Sequence, residues 1–203
     1  MDAPAAATIG DGRSTPRQSR LRTVAIMAVT AVIIVAVAFL VNQPKASAGG
    51  ITSVTLSGEE SGDAPTVGQP APDFTATTVD GTTVRLSELK GKPVWLTFGA
   101  SWCQPCRAEN PDISAVYERS KADGLVVLAV FISEDAPAVK DYADRVGLSY
   151  LKVADPDTAI ASRYRILGIP SHFFIDREGV LREMKIGSLD PAAMERAVEG
   201  VRR

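Results

Sequence analysis

Short apolar runs, separated by segments of helical periodicity, make up the C-terminal two thirds of the chain. Residues 94–98 and 125–132 are apolar at almost every position, which is typical of central strands covered on both faces. Residues 171–176 form a third such segment, and residues 150–153 and 180–186 predict shorter strands. Because the strands alternate with helical segments, the pattern predicts an α/β fold.

Four helices are predicted between and after these strands. Asp190 followed by Pro191 predicts an N-cap with proline at the first helical position. Gly147 ends the second helix, and Pro111 lies inside the first, where it should kink the helix axis. The predicted helices cover residues 103–122, 136–146, 157–164 and 191–201. A mixed sheet with helices on both faces follows from this order.

An antiparallel hairpin is predicted ahead of the first central strand. Residues 74–78 and 83–86 flank the pair Asp80-Gly81, which favours a tight turn between two strands. The hairpin adds an N-terminal extension to the predicted sheet domain.

The N-terminal residues have the pattern of a membrane anchor. Residues 1–22 are small, polar and basic, and residues 23–41 are uncharged and almost entirely apolar. A helix of about 20 apolar residues spans a bilayer. Since the arginines precede the run, the N-terminal segment is expected inside and the rest of the chain outside the cytoplasm. The sequence thus predicts one transmembrane helix over residues 23–41.

A cleaved signal peptide is the alternative for the same segment. Ala46-Ser47-Ala48 has the small-x-small form of a cleavage site. The apolar run is longer than the roughly 7–15 residues usual for a signal-peptide core, which favours a retained anchor. Both interpretations export everything after residue 48.

A linker is predicted over residues 42–67, in a stretch rich in Gly, Ser, Ala and Pro that continues to residue 71. Such a composition buries too little apolar surface to order itself, so we expect a flexible tether. An ordered strand at residues 53–56 is the alternative. Residues 68–203 then form one domain of ordinary size.

Charge excludes one class of function. The chain has a formal net charge of −2, and its N-terminal arginines leave the exported part more acidic still. A nucleic-acid-binding domain would carry a basic face, so no nucleic-acid partner is expected.

The candidate chemistry lies in Trp102-Cys103-Gln104-Pro105-Cys106, which holds both cysteines of the chain. A disulfide across two intervening residues closes a very small loop and is therefore a weak structural staple. This spacing favours a reversible redox pair. Half of a zinc site is the alternative, but it needs further ligands, and His172 is the only histidine.

Several motifs together resemble the TlpA/ResA/CcmG group of membrane-anchored thiol-disulfide oxidoreductases in the thioredoxin superfamily. The resemblance covers residues 68–202 and includes an extra helix and strand at residues 134–153 that thioredoxin itself lacks. It implies a thioredoxin-like three-layer fold. The motifs are Ala71-Pro72-Asp73-Phe74, the run Leu86-Ser87-Glu88-Leu89-Lys90-Gly91-Lys92, Trp102-Cys103-Gln104-Pro105-Cys106, and Gly168-Ile169-Pro170 before Phe174-Ile175-Asp176.

The resemblance implies distinct roles for the two cysteines. Cys103 lies at the start of a helix, where unpaired N–H groups and the helix dipole favour a thiolate, and it should attack a substrate disulfide. Cys106 should resolve the mixed disulfide. Gln104 and Pro105 should tune the balance between dithiol and disulfide. Strongly oxidising relatives carry a histidine between the cysteines, so its absence here favours a reductant.

Substrate binding is expected around a proline. Pro170 corresponds to the cis-proline of the family, which would place Ile169 beside the cysteines with its backbone groups free for an extended substrate strand. An ordinary trans turn proline is the alternative. Trp102 should shield the dithiol and give the substrate an apolar contact, whereas Trp95 is expected in the core.

A proton-transfer role is implied for Glu109, which corresponds to a glutamate near the dithiol of ResA-like proteins. It would take and return a proton while Cys106 resolves the intermediate. A solvated carboxylate on the helix face is the alternative. Thr97 stands where cytoplasmic thioredoxins carry a buried aspartate, so Glu109 would substitute for it. His172 is interpreted as a structural or exposed residue, and the alternatives are that it faces the dithiol or serves as a metal ligand.

The sequence therefore predicts an exported, membrane-tethered thiol-disulfide oxidoreductase that needs no cofactor and no metal. The resemblance further implies a reductant of extracytoplasmic disulfides, including the CxxCH cysteines of apocytochrome c, kept reduced by an integral-membrane thiol donor. The alternatives are an oxidant that forms disulfides in secreted proteins, and a copper or zinc chaperone. Copper-delivering relatives use a CxxxC pair, which this chain lacks.

Overall fold

The computed structural model describes residues 26–37, the backbone of Thr55–Leu56, and residues 64–203. The chain divides into two compact units, residues 1–47 and 48–203. Each unit is described by itself.

In the first unit, residues 26–37 are helical with exposed side chains. Thr30 Oγ1 donates a hydrogen bond of 2.8 Å to the carbonyl of Ile26 one turn earlier. Within the described ranges, no helix is long and apolar enough to cross a membrane. The remainder of the transmembrane helix predicted for residues 23–41, and the segment 1–22, lie outside the described residues.

The second unit is built on a five-stranded mixed sheet. Its spatial order is β6-β5-β4-β7-β8; β4, β5 and β6 are parallel, and β7 and β8 run antiparallel to their neighbours. The sheet consists of β4 (Val94–Gly99), β5 (Val126–Ile132), β6 (Leu151–Asp155), β7 (Ser171–Ile175) and β8 (Leu181–Ile186). The predicted mixed sheet is confirmed.

Four helices accompany the sheet, close to their predicted bounds. Asp190 accepts a hydrogen bond of 2.7 Å from the N–H of Ala193, so the predicted cap of the last helix is present. Pro111 lies inside the first helix, as expected. The helices are α1 (Gln104–Ser120), α2 (Ala136–Val146), α3 (Ala159–Arg163) and α4 (Pro191–Arg202).

Two apolar cores lie on opposite faces of the sheet and give the domain its three layers. Side chains of α1, α2 and α4 pack on one face, where Trp95 is fully buried. The other face is covered by the N-terminal hairpin and α3, which pack around Leu96 and Phe98. Neighbouring positions of a strand point to opposite faces, so β4 supplies both cores.

The predicted hairpin forms between β2 (Phe74–Thr77) and β3 (Thr83–Arg85), and Gly81 supplies the positive φ of 87° that its turn requires. A third strand, β1 (Thr55–Leu56), pairs antiparallel with β2. These two residues of the linker predicted for residues 42–67 are thus paired within the range named for the alternative strand, and the rest of that linker before residue 64 lies outside the described residues. The physical reason is the open edge of β2, which offers backbone partners to any nearby extended segment.

Helix α3 is shorter than predicted, and the side chain that caps it does not belong to its N-cap residue. Thr158, at the N-cap position, has a left-handed backbone and makes no side-chain cap. Asp155, at the end of β6, accepts hydrogen bonds from the N–H groups of Ile160 and Ala161 at 3.2 and 2.9 Å. The capping carboxylate thus comes from the preceding strand.

The insert and the hairpin contact each other. Lys152 on β6 lies 3.1 Å from the carboxylate of Asp80 in the hairpin turn, and Lys140 on α2 lies 3.8 Å from it. Thr78 and Val153 form an isolated antiparallel bridge. Helix α2 and strand β6, the additions predicted for residues 134–153, are therefore fixed to the N-terminal extension.

Candidate active site

The two cysteines lie at the start of α1 and are joined by a disulfide. Cys103 is the N-cap residue, and its Sγ accepts a hydrogen bond of 3.3 Å from the N–H of Cys106. Their Cα atoms are 5.3 Å apart. Both residues are buried, whereas Gln104 and Pro105 between them are exposed. The first turn of the helix presents N–H groups to Cys103 Sγ, which favours negative charge on this sulfur when the pair is reduced.

The Ile169–Pro170 peptide bond is cis, as predicted. Ile169 packs against the cluster formed by Ala100, Cys103 and Cys106. The carbonyl of Pro170 accepts a hydrogen bond of 2.8 Å from Gly187 N–H, which holds the segment before β7 to the end of β8. Within the described residues, no backbone group bonds to the N–H or carbonyl of Ile169.

Three exposed apolar side chains lie near the cysteines or the cis-proline segment, either in sequence or through the pairing of β7 with β8. Trp102, directly before Cys103, is 61% exposed. Leu167, two residues before Ile169, is 93% exposed, and Ile186, the register partner of Ser171, is 65% exposed. We call Trp102, Leu167 and Ile186 the apolar rim.

Glu109 is buried rather than solvated. It lies one turn after Cys106 on α1 and is 5% exposed. The N–H of Leu189 donates to its Oε2 at 3.3 Å, and His172 Nε2 lies 3.3 Å from its Oε1. The expectation of a carboxylate held near the dithiol agrees with this position, and the alternative of a solvated helix-face carboxylate does not.

His172 is the partner that the sequence did not reveal. It is fully buried on β7, and its ring stacks at a tilt against Trp95, with centroids 5.8 Å apart. Trp95 Nε1 donates to His172 Nδ1 at 3.3 Å, and Thr97 Oγ1 lies 3.1 Å from the same nitrogen. His172 is thus buried, as the structural interpretation allowed, but its second nitrogen faces Glu109.

A small cavity connects Cys106 with the interior. It has a volume of about 20 Å³ and is lined by Thr97, Gly99, Cys106, Glu109 and Asn110, among others. This is enough room for one water molecule. Cys106 and Glu109 therefore line a common space.

Two tyrosines lie behind this cavity. Tyr150 donates to Asn110 Oδ1 at 3.3 Å, and Asn110 Nδ2 donates to the Tyr142 hydroxyl at 2.9 Å. Burial, with further contributions from Tyr142 and Glu109, raises the pKa of Tyr150 well above its usual value. Tyr150 therefore remains a neutral hydrogen-bond donor throughout the physiological range.

Glu134 holds the loop in front of Cys103. Its carboxylate accepts a hydrogen bond of 2.7 Å from the N–H of Ser101 and a second, short one from the Ser101 hydroxyl. Glu134 follows Ser133, which has a positive φ of 57°. No sequence motif marked this residue. A signal was available in its position, since side chains directly after parallel strands meet at one edge of a sheet.

Residues 26–37 and 64–203 contain no group of three or more His, Cys, Asp or Glu placed to hold a metal ion. His172 directs its two ring nitrogens at Trp95 with Thr97 and at Glu109.

A thioredoxin-like sheet with a Cys-x-x-Cys pair at a helix start, beside a cis-proline, defines a thiol-disulfide oxidoreductase. The model of the AhpC/TSA family matches residues 67–184, and the chain belongs to this family. It is an enzyme of the ResA/DsbE/CcmG type within the thioredoxin fold, with Cys103 and Cys106 as its CxxC pair.

Named relatives agree with this assignment. A thiol-disulfide oxidoreductase ResA from Geobacillus kaustophilus is 34% identical over 136 residues, which are 67% of this chain and 78% of the relative. A thiol:disulfide interchange protein of the thioredoxin family from Chlorobium tepidum is 30% identical with a TM-score of 0.61, over 70% of this chain and 100% of that one. The pneumococcal exposed lipoprotein thioredoxin from Streptococcus pneumoniae is 34% identical with a TM-score of 0.54, over 63% and 98%.

Proposed function

We propose that this enzyme is a membrane-tethered reductant of protein disulfides outside the cytoplasm. The observation that carries the proposal is the placement of Cys103 at the start of α1 beside Ile169, with Glu109 buried one turn behind Cys106. This arrangement separates an attacking sulfur on the substrate side from a resolving sulfur on the interior side.

The reaction begins at Cys103. Its thiolate attacks one sulfur of the client disulfide, a bond forms between Cys103 Sγ and that sulfur, and the other client sulfur leaves as a thiolate and takes up a proton. The backbone N–H and carbonyl of Ile169 bind an extended client strand, and the apolar rim contacts its side chains.

Resolution follows at Cys106. Glu109 takes the thiol proton of Cys106 across the shared cavity, and the resulting thiolate attacks Cys103 Sγ. The client sulfur leaves as a thiolate, Glu109 gives up the proton so that this sulfur becomes the client's second thiol, and the enzyme is left with the Cys103–Cys106 disulfide. Two electrons have then moved from the enzyme dithiol to the client.

A membrane donor of thiol electrons restores the dithiol. The apolar run at residues 23–41 and the arginines before it support a single-pass anchor with the catalytic domain on the extracytoplasmic side. Such a tether keeps the domain near an integral-membrane donor. The CxxCH cysteines of apocytochrome c, which must be reduced before haem attachment, are the client class that the ResA-like resemblance favours.

The reduction potential of the Cys103–Cys106 pair tests the direction of electron flow. The full-length protein is equilibrated against mixtures of reduced and oxidised dithiothreitol or glutathione. A value near or below about −270 mV, that of thioredoxin, supports a reductant. A value near about −120 mV makes the protein an oxidant that forms disulfides in secreted proteins.

Covalent trapping tests the roles of the cysteines. A peptide carrying an oxidised Cys-x-x-Cys-His motif is added to the reduced full-length Cys106→Ser variant, and the mixture is resolved without reducing agent. The proposal expects a stable adduct at Cys103, while Cys103→Ser forms none. Stoichiometric copper or zinc after purification under reducing conditions, together with no adduct, would point instead to a metal chaperone.

A further inference from the structure

We propose that His172 is a positioning residue for the resolving step, because its Nε2–H holds the Glu109 carboxylate directed at the cavity shared with Cys106. This inference rests on the proton-transfer role proposed for Glu109. It assigns a task to a buried histidine that the sequence marked as structural.

The tautomer of His172 follows from its neighbour on β4. An indole N–H is only a donor, so the 3.3 Å contact from Trp95 Nε1 requires that His172 Nδ1 accept. The hydroxyl of Thr97 lies 3.1 Å from the same nitrogen. The proton of a neutral His172 therefore resides on Nε2, the nitrogen that faces Glu109.

The position of Nε2 indicates a functional rather than a packing role. The atom is buried, and within the described residues it lies 3.3 Å from Glu109 Oε1 without the alignment of a full hydrogen bond. A buried N–H without a well-formed bond costs free energy, so each such group in a native fold calls for a reason. Catalytic hydrogen bonds are often long in one state of the cycle and tighten in another.

Lys185 and Tyr150, a charged and a titratable side chain near the Glu109–His172 pair, bond to partners other than Glu109. Lys185, the register partner of His172 on β8, is half-exposed and lies 2.9 Å from the carboxylate of Glu183. On the other side of Glu109, the Tyr150 hydroxyl donates to Asn110. The remaining donor to Glu109 is the backbone N–H of Leu189.

The chemical consequence concerns the position of the Glu109 carboxylate. A general base takes a proton efficiently only within hydrogen-bond reach of that proton, directly or through one water. Within the described residues, Nε2–H and Leu189 N–H both face the carboxylate, so without Nε2–H the backbone N–H of Leu189 alone remains to hold it toward the cavity.

The test separates the two sulfur steps with 5,5′-dithiobis(2-nitrobenzoate) as the disulfide. Reduced full-length enzyme is mixed with one equivalent of the reagent. Attack by Cys103 releases the first coloured thiolate, and attack by Cys106 on the mixed disulfide releases the second. The two electrons of the dithiol account for both thiolates, and the Cys106→Ser variant releases one only.

For His172→Leu, we expect the first release to be unchanged and the second to slow about tenfold at neutral pH. His172→Gln can still accept from Trp95 and donate to Glu109, so it should restore most of the second rate.

A double-mutant cycle decides whether His172 acts through Glu109. Glu109→Gln combined with His172→Leu should be no slower in the second release than Glu109→Gln alone. Additive losses in the double variant, or no recovery of the second rate in His172→Gln, overturn the inference. If His172→Leu unfolds, His172→Gln is measured alone, and a loss in the second release equal to that of Glu109→Gln overturns it. Failure of the first release in the wild-type enzyme would contradict the proposed function instead.

Discussion

The backbone N–H of Leu189 donates to Glu109 Oε2 over 3.3 Å, so the loop between β8 and α4 helps to hold the buried carboxylate. The same loop contains Gly187, whose N–H donates to the carbonyl of the cis-proline Pro170 at 2.8 Å. A single short segment therefore contacts both the proposed client-binding peptide and the proposed base. Ile169 is thus linked to the hydrogen bond that positions Glu109 through Pro170, the hydrogen bond from Gly187 to Pro170, and the two residues that follow Gly187.

Glu109→Gln should slow the second thiolate release by about 100-fold and leave the first unchanged, because general base catalysis contributes roughly that much or more. Glutamine keeps the volume and one acceptor for Leu189 N–H, so the fold should be retained. The rates are measured by single-turnover absorbance. Glu118→Gln, an exposed position on the same helix, is the matched control and should match wild type.

Trp102→Ala should weaken client binding without slowing the intrinsic chemistry. Truncating a large apolar side chain at an interface costs about 2 kcal/mol, so KM for a disulfide-bonded protein client should rise about 30-fold. The reaction with a small aromatic disulfide should change little. The two reactions are measured as the initial rates of reduction of insulin and of the small disulfide.

Val67→Ala is the control for Trp102→Ala. Val67 is 54% exposed. It precedes Gly68, whose N–H donates to the carbonyl of Leu181. Leu181 is the first residue of β8, and Ile186 of the apolar rim is the last. An equal rise in KM for both variants would show that the apolar rim has no special part in client binding.

Glu134→Ala should loosen the loop in front of Cys103. Loss of the carboxylate leaves the Ser101 N–H without its acceptor, which costs about 1–3 kcal/mol at a buried site and less where water can enter. We expect faster amide hydrogen exchange at Ser101 and slower release of the first thiolate. Glu134→Gln retains an acceptor and should lie close to wild type. Unchanged exchange in Glu134→Ala would contradict this role.

Asp73→Asn should reduce the loss of stability in acid. Burial alone would raise the pKa of Asp73, but the hydrogen bonds from Ser87 N–H, the Arg85 guanidinium and the Ser87 hydroxyl hold it below its usual value. A depressed carboxylate pKa contributes stability that is present above 3.8, the value of the free group, and is lost as pH falls through the folded-state pKa. The free energy of unfolding, measured by urea titration between pH 6 and pH 2, should therefore fall less in Asp73→Asn than in wild type.

Substitution of Asp155 should change the loss of stability in acid in the opposite direction. Burial raises the pKa of its carboxyl, despite the hydrogen bonds from Ala161 and Ile160 N–H. A raised carboxylate pKa means that the folded state binds the proton more tightly, so this group costs stability as pH rises above 3.8. Asp155→Asn should therefore steepen the acid loss, opposite to Asp73→Asn. The same sign for both variants would contradict these assignments.

Local patterns were sufficient to predict most of the scaffold. Three local signals each fix the end of a helix or a turn, because the residue types at these positions favour the backbone conformation needed there. They are Asp190 with Pro191, Gly147, and Asp80-Gly81. The Cys103–Cys106 pair and the cis bond at Pro170 could be inferred because both belong to short motifs of a known family.

Long-range partners could not be predicted in the same way. Whether His172 contacts Glu109 depends on the register of β7 and on the rotation of α1 over the sheet. The local sequence of β7 and α1 specifies neither. The same holds for Glu134, which reaches Ser101 from the neighbouring strand end. The two-residue pairing at Thr55 was too short to stand out from its linker composition.

The central position of β4 has a consequence for how the chain assembles. Its two neighbours in the sheet are β5, which follows about 30 residues later, and β7, which follows about 75 residues later. Because distant pairings form slowly, the strand that leads into the cysteines has both edges satisfied only after nearly the whole domain has been made. The two thiols therefore exist for a time on an incomplete sheet, before the segment carrying Ile169 and Pro170 can cover them, and during that interval they are open to any oxidant in their compartment.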